Sequence, residues 1–133
     1  MTLIDFNVAK RFIDVDTGNP LRMMTNTGTA KYMAPEMLSG WMSHYDERID
    51  LWSAGCVLYY LLTGGMHAFD YELRADIEDH IRMGAFGRDK EEYLRLNPEA
   101  KDLIECLLRV DPEDRMTASE AFEHSWLSSI KHL

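Results

Sequence analysis

Few cysteines are present, and none is placed for chemistry. Cys56 and Cys106 each sit in an apolar stretch, and neither belongs to a C-x-x-C pair. The expectation is two buried, reduced thiols of an intracellular protein rather than a disulfide or a thiolate metal site. The five histidines are scattered and show no H-x-x-x-H spacing. Basic residues are also scarce, 14 Lys and Arg against 23 Asp and Glu, a net charge of −9. Phosphate-backbone binding needs clustered Lys and Arg, so nucleic acid is excluded as a main partner. The acidity is read as a solubility feature. No basic region leads into an apolar run at the N-terminus, so no signal peptide is expected. Long apolar runs are missing too. Positions 51–69 lack Asp, Glu, Lys and Arg, and they approach the ~20 residues that span a bilayer. Gly64-Gly65 should end a helix there. Leu51 to Leu62 is too short to cross, and no membrane partner is expected. No repeat, low-complexity tract or interdomain linker is visible.

What is there has an ordinary globular composition, 46% hydrophobic and 28% charged over 133 residues. That is one domain, or a piece of a larger one. Leu3-Ile4 fits the end of a strand. Asn7 to Thr27 is polar, with a turn at Gly18-Asn19-Pro20. Pro35 suits a first helical position and Glu36 a first turn, so a short helix is expected, ending by Ser39-Gly40. Arg48 to Thr63 is apolar on every side, which predicts a central helix buried all round, capped by Asp46 or Asp50. Asp70 to Met83 is a third helix, with Leu73, Ile77 and Ile81 at i, i+4, i+8. Gly84 to Leu96 reads as charged and irregular. Asn97-Pro98-Glu99 opens a helix to about Arg109, with Leu103, Ile104, Leu107 and Leu108 on one face. Thr117 and Glu120 form a capping box for a last helix carrying Ala118, Ala121 and Phe122 and ending near His124. Trp126-Leu127 should pack back on the body. The expected fold class is mainly α.

Four motifs occur in order: Asp5-Phe6-Asn7; Gly28-Thr29 with Tyr32 and Ala34-Pro35-Glu36; Asp50-Leu51-Trp52-Ser53-Ala54-Gly55; and Asp111-Pro112 with Arg115. In these residues the chain resembles the C-terminal lobe of a protein kinase from the Asp-Phe-Gly motif onward. The resemblance covers nearly the whole length. It implies a partial kinase domain over residues 1–133, with an activation segment at 5–36 and a helical subdomain at 37–127. The helices would be the family's EF, F, G, H and I, with the N-lobe absent. Ala100-Lys101-Asp102-Leu103-Ile104 and His124-Ser125-Trp126 look most like the calcium/calmodulin-dependent branch of Ser/Thr kinases.

The resemblance implies roles residue by residue. Asp5 takes the position of the carboxylate that binds Mg2+ bridging the ATP phosphates. Phe6 looks like the ring whose packing separates active from inactive arrangements. Asn7 departs from the family's Gly and should narrow the loop's range without abolishing metal binding. Thr29 resembles the threonine that marks Ser/Thr kinases, and with Tyr32 it belongs to a substrate-binding floor from Gly28 to Glu36. Thr25 and Thr27 lie where regulatory phosphorylation falls, with Lys10, Arg11 and Arg22 as candidate partners for the phosphate. Glu36 and Arg115 resemble a buried structural ion pair. Asp50, Trp52, Val57 and Leu61 correspond to structural positions of helix F. In the turn after that helix, Met66-His67-Ala68-Phe69 departs from the family's Pro-Pro-Phe pattern, which should make the loop less rigid.

A kinase also needs a Gly-rich loop, a Lys on its third strand and a catalytic loop with a base Asp. No G-x-G-x-x-G occurs, and no His-Arg-Asp precedes Asp5. The resemblance therefore implies part of a protein Ser/Thr kinase, which uses ATP and Mg2+, while this stretch alone is expected to bind neither and to be inactive. The alternative is a non-catalytic, kinase-derived interaction module or a gene remnant. Expected partners are a protein substrate or the missing N-terminal part of the kinase. Without the helix that normally packs on helix F, that helix should expose an apolar patch.

Overall fold

A computed structural model describes residues 30–38 and 47–131. Within them the secondary structure is helical, with no strand. The helices are α1 (Pro35–Leu38), α2 (Arg48–Leu62), α3 (Arg74–Met83), α4 (Glu91–Leu94), α5 (Pro98–Leu107), α6 (Ala118–Phe122) and α7 (Ser125–Lys131).

α2 is the central element. Ile49, Trp52, Gly55, Cys56 and Tyr59 line its buried face. The opposite face is open: Val57 is 45% exposed and Leu61 67%, and Asp50 and Ala54 continue the row. The uniform apolarity that predicts burial on all sides thus resolves into one packed and one uncovered face. No side chain caps α2 at Glu47. Asp50 lies inside the first turn, where its charge suits the helix dipole but does not cap. Asp46 lies outside the described residues. The helix stops where Gly64-Gly65 predicts. Both glycines have positive φ, 77° and 102°, and the Gly65 N–H donates to the Tyr60 carbonyl at 2.8 Å.

α5 packs across α2 at Gly55. A Cβ there would stand 2.9 Å from both Leu107 Cβ and Leu108 Cδ2, so the missing side chain lets the helices approach. Asn97 caps α5 by accepting the Glu99 N–H at 2.8 Å. Leu103, Ile104, Leu107 and Leu108 are all buried, as the periodicity requires. The helix ends at Leu107, two residues before the expected limit.

α3 begins at Arg74, not Asp70. Asp70 is held by Lys31, and the Tyr71 ring stacks on His80 at 3.9 Å. These contacts wind residues 70–73 outside the helix. Ile77 and Ile81 enter the core, whereas Leu73, expected on the same face, is exposed. The stretch after α3 is more ordered than its charge suggests. Phe86 and Tyr93 are buried against Tyr59, with ring centroids 5.9 and 5.6 Å from it. The Tyr59 hydroxyl donates to the Gly87 carbonyl at 2.7 Å. Arg88 spans to Glu105 on α5 with two bonds of 2.7 and 3.0 Å. Aromatic residues spaced by charges along a loop give no periodic signal, so this part of the core was invisible in the sequence.

The capping box at Thr117 and Glu120 is present, with bonds of 3.2 and 2.9 Å. α6 buries no residue. Trp126 and Leu127 are half-buried on a further helix, α7, which the sequence reading treats only as a packed tail. His124 joins the two ends of this region. Its Nε2 lies 2.8 Å from Asp102 on α5, and its Nδ1 receives the Trp126 N–H at 3.1 Å. Cys56 is buried and Cys106 only half-buried, and both are free thiols. Burial pushes both upward from the ordinary thiol range, so neither is an activated nucleophile. Among the described residues no helix is long and apolar enough to cross a membrane.

Candidate functional site

The segment at 30–36 is the described part of the expected substrate floor. Ala30, Met33, Ala34 and Pro35 are buried and root it in the core. Lys31 and Tyr32 lie between them, half-buried. The anchor is Glu36. Arg115, only 2% exposed, forks onto it, with Nη1 to Oε1 at 2.6 Å and Nη2 to Oε2 at 3.0 Å. The rest of that guanidinium is occupied by backbone carbonyls: Nε by Arg109 at 3.0 Å, Nη1 by Arg48 at 2.8 Å and Nη2 by Val110 at 3.3 Å. Its carbon stands 5.2 Å from the Trp52 ring centroid, and Trp52 stacks on Phe69 at 5.6 Å. One cation thus ties the end of the floor to the start of α2 and to the loop before α6. A planar five-donor fork suits this task, and an ammonium would not.

A second set of contacts holds the other end. Lys31 Nζ pairs with Asp70 at 2.9 Å. The Tyr32 hydroxyl and His67 Nδ1 are 3.3 Å apart, joined by a hydrogen bond. Ser53 Oγ on α2 donates to the Tyr32 carbonyl at 3.0 Å. The His67 ring lies edge-on to Tyr32, centroids 5.8 Å apart, and beside Tyr60 at 5.1 Å. The hydrogen bond from Lys31 holds the Asp70 carboxyl below the usual range. Burial first, and then the Lys31 charge, lower the affinity of His67 for a proton. The imidazole is therefore neutral near pH 7, and Tyr32 keeps its phenolic proton because burial raises its pKa.

The structure brings together Glu36, Trp52 and Arg115 and places Tyr32 in the second set, with Ser53 and His67. Asp50 stands apart on the open face of α2. Asp5, Phe6, Thr25, Thr27 and Thr29 lie outside the described residues, so the metal, phosphorylation and threonine assignments have no geometry here. Among the described residues no group of His, Cys, Asp and Glu could hold a metal ion. Sequence reasoning passed over Lys31, Ser53, His67 and Asp70. The one available signal was His67, which stands within the departure from the family's double proline.

The profile of the protein kinase domain matches residues 1–127. The chain belongs to the protein kinase family. Its relatives are Ser/Thr kinases. Calcium-dependent protein kinase 3 of Plasmodium yoelii yoelii is 38% identical over 129 residues, covering 97% of this chain and 22% of the relative. Calcium/calmodulin-dependent protein kinase type II subunit delta of Oryctolagus cuniculus is 36% identical over 126 residues, covering 95% and 22%. A solved structure of the Rad53 kinase domain and SCD2 in complex with AMPPNP is 34% identical with a TM-score of 0.65, covering 73% of this chain and 38% of that one. The kinase-family chain therefore spans about a fifth of the length of these curated relatives (22%). The described helices are those of a kinase C-terminal lobe.

Proposed function

We propose that this chain is the C-terminal part of a protein Ser/Thr kinase that transfers the γ-phosphate of ATP to a protein hydroxyl. The match to the protein kinase domain over residues 1–127 carries this reading. The described residues would supply position rather than chemistry. The 30–36 segment, rooted by Ala30 and Ala34 and clamped by Arg115, is suited to hold a substrate strand still. Positioning is a large share of catalysis in phosphoryl transfer. Mg2+ would be held at Asp5 and would neutralise charge on the ATP phosphates. Thr29 would stand beside Tyr32 on the floor, and Thr25 and Thr27 would carry regulatory phosphate. An intracellular setting fits ATP-dependent transfer and two free thiols.

In this reading the 133-residue chain by itself transfers no phosphate. A chimera tests it, with this chain replacing the matching part of the Rad53 kinase domain. The chimera should phosphorylate a Ser/Thr peptide with Mg2+ and ATP, and Asp5→Ala should abolish transfer. A folded chimera that binds ATP but shows no transfer would overturn the reading. Turnover by the isolated chain would overturn its dependence on the rest of the kinase. The open face of α2 favours one alternative, a non-catalytic kinase-derived module that uses this face for a partner.

A further inference from the structure

The contact between Tyr32 and His67 arises where this chain departs from the family's Pro-Pro-Phe pattern, since His67 belongs to the Met66-His67-Ala68-Phe69 stretch. A proline there could stiffen the turn but could make no side-chain hydrogen bond. His67 replaces that stiffness with a bond across 35 positions of sequence. Three elements meet at its ring. Tyr32 and Lys31 approach from the floor, Tyr60 from α2, and Asp70 from its own turn. Asp70 is engaged by Lys31, and the Tyr32 hydroxyl lies within hydrogen-bond distance of Nδ1, at 3.3 Å.

We propose that His67 is a positioning residue for the candidate substrate floor: neutral, with its proton on Nε2, it receives the Tyr32 hydroxyl proton at Nδ1 and clasps the turn at 30–33 to the turn that follows α2. The Lys31–Asp70 pair and the Ser53 bond to the Tyr32 carbonyl close the same clasp from either side. Protonation reverses the bond. The ring then donates to the Tyr32 oxygen, the hydroxyl proton must find another acceptor, and a second cation stands beside Lys31. Burial and the Lys31 charge both resist that protonation, so the bond runs from Tyr32 to His67 at neutral pH and is reversed on acidification. Its consequence for substrate rests on the kinase reading above; the clasp itself does not.

The deciding measurement is NMR of the full chain with labelled histidine and tyrosine rings, across the range of about pH 5 to 8 in which histidine titrates. At the alkaline end the His67 nitrogen shifts should show Nε2 protonated and Nδ1 accepting. The Tyr32 ring should then move with the His67 midpoint, which should lie below the ordinary value of about 6.5. His67→Asn keeps an acceptor near Nδ1 that cannot titrate, so in that variant the Tyr32 ring should stay in its alkaline position. A Tyr32 ring indifferent to His67 titration, or one that moves in the Asn variant as in the parent, overturns the proposal. If the Asn variant does not fold, Tyr32→Phe decides: the His67 midpoint should rise, and an unchanged midpoint overturns the clasp. In the chimera, His67→Ala should raise KM for peptide several-fold with kcat held, and His67→Asn should restore it. An active chimera with unmoved KM overturns the positioning role. An inactive chimera in which Tyr32 still follows His67 removes the kinase reading and leaves the clasp standing.

Discussion

At the scale of single residues, Arg115 shows how a buried charge can be tolerated. Two bonds to Glu36 and three to backbone carbonyls occupy its donors. The desolvation cost of such an ion is several kcal/mol, and only a full set of partners offsets it. Removing one partner leaves the other buried without it. Arg115→Ala should destabilise the chain by about 3–5 kcal/mol, measured by urea denaturation. Arg115→Lys restores the charge without the fork and should recover only part of that loss. A change below about 0.5 kcal/mol for Arg115→Ala, the range of ordinary surface substitutions, would show that the pair does not hold the floor. The pairing of positions 36 and 115 was legible only through family resemblance, since nothing local in either stretch points to the other. His67 and Asp70 were illegible for the same reason: their partners lie more than thirty positions away.

At the scale of elements, the α2–α5 crossing and the loop after α3 carry the packing. Gly55→Ala would add helix propensity worth about 1 kcal/mol. It would also drive a methyl into the Leu107 Cβ and the Leu108 side chain. Overpacking typically costs about 1–3 kcal/mol, and Leu107 Cβ is too close to its backbone to move aside. The expected net change in a denaturation experiment is a loss, and a gain would mean that the helices separate easily. The Arg88–Glu105 fork sets an acid limit. Burial pushes the Glu105 carboxyl up, but Arg88 and the Tyr93 hydroxyl outweigh it, and the net shift is downward. A depressed carboxyl contributes stability that is present above its unfolded value of about 4.3 and is lost as pH falls through the lower folded value. Denaturation at a series of pH values should show that fall, and Glu105→Gln should make it shallower. The helix caps at Asn97 and Thr117 were legible because they depend on neighbours two or three residues away. The aromatic cluster of Tyr59, Phe86 and Tyr93 was not, because its members meet only once the chain has turned twice.

At the scale of the whole molecule, the open face of α2 dominates. Val57 and Leu61 present an apolar row to solvent on the helix that organises the core. Exposed contiguous apolar surface drives association. Replacing both by lysine should shift the chain toward monomer in sedimentation velocity while leaving its thermal midpoint nearly unchanged, as for other exposed positions. Loss of folding in that variant would show that the face is buried in solution. The sequence expectation of a helix buried all round and the expectation of an uncovered patch both bear on this face. Composition detects that a helix is apolar, but which side has a neighbour is a property of the assembled molecule.

What the sequence determined by itself is what short-range chemistry can specify. It set the helix starts at Asn97 and Thr117, the stop at Gly64-Gly65, the buried side of α5, and the family through motifs spread over the chain. Only the tertiary structure decided the contacts made at a distance. It showed the Arg115 fork on Glu36 and the Tyr32–His67 contact, placed Phe86 and Tyr93 in the core beside Tyr59, and opened one face of α2. The physical reason is range. Caps, turns and periodicity act within a few residues, where the covalent chain fixes geometry. Ion pairs, ring contacts and burial depend on which surfaces meet after folding.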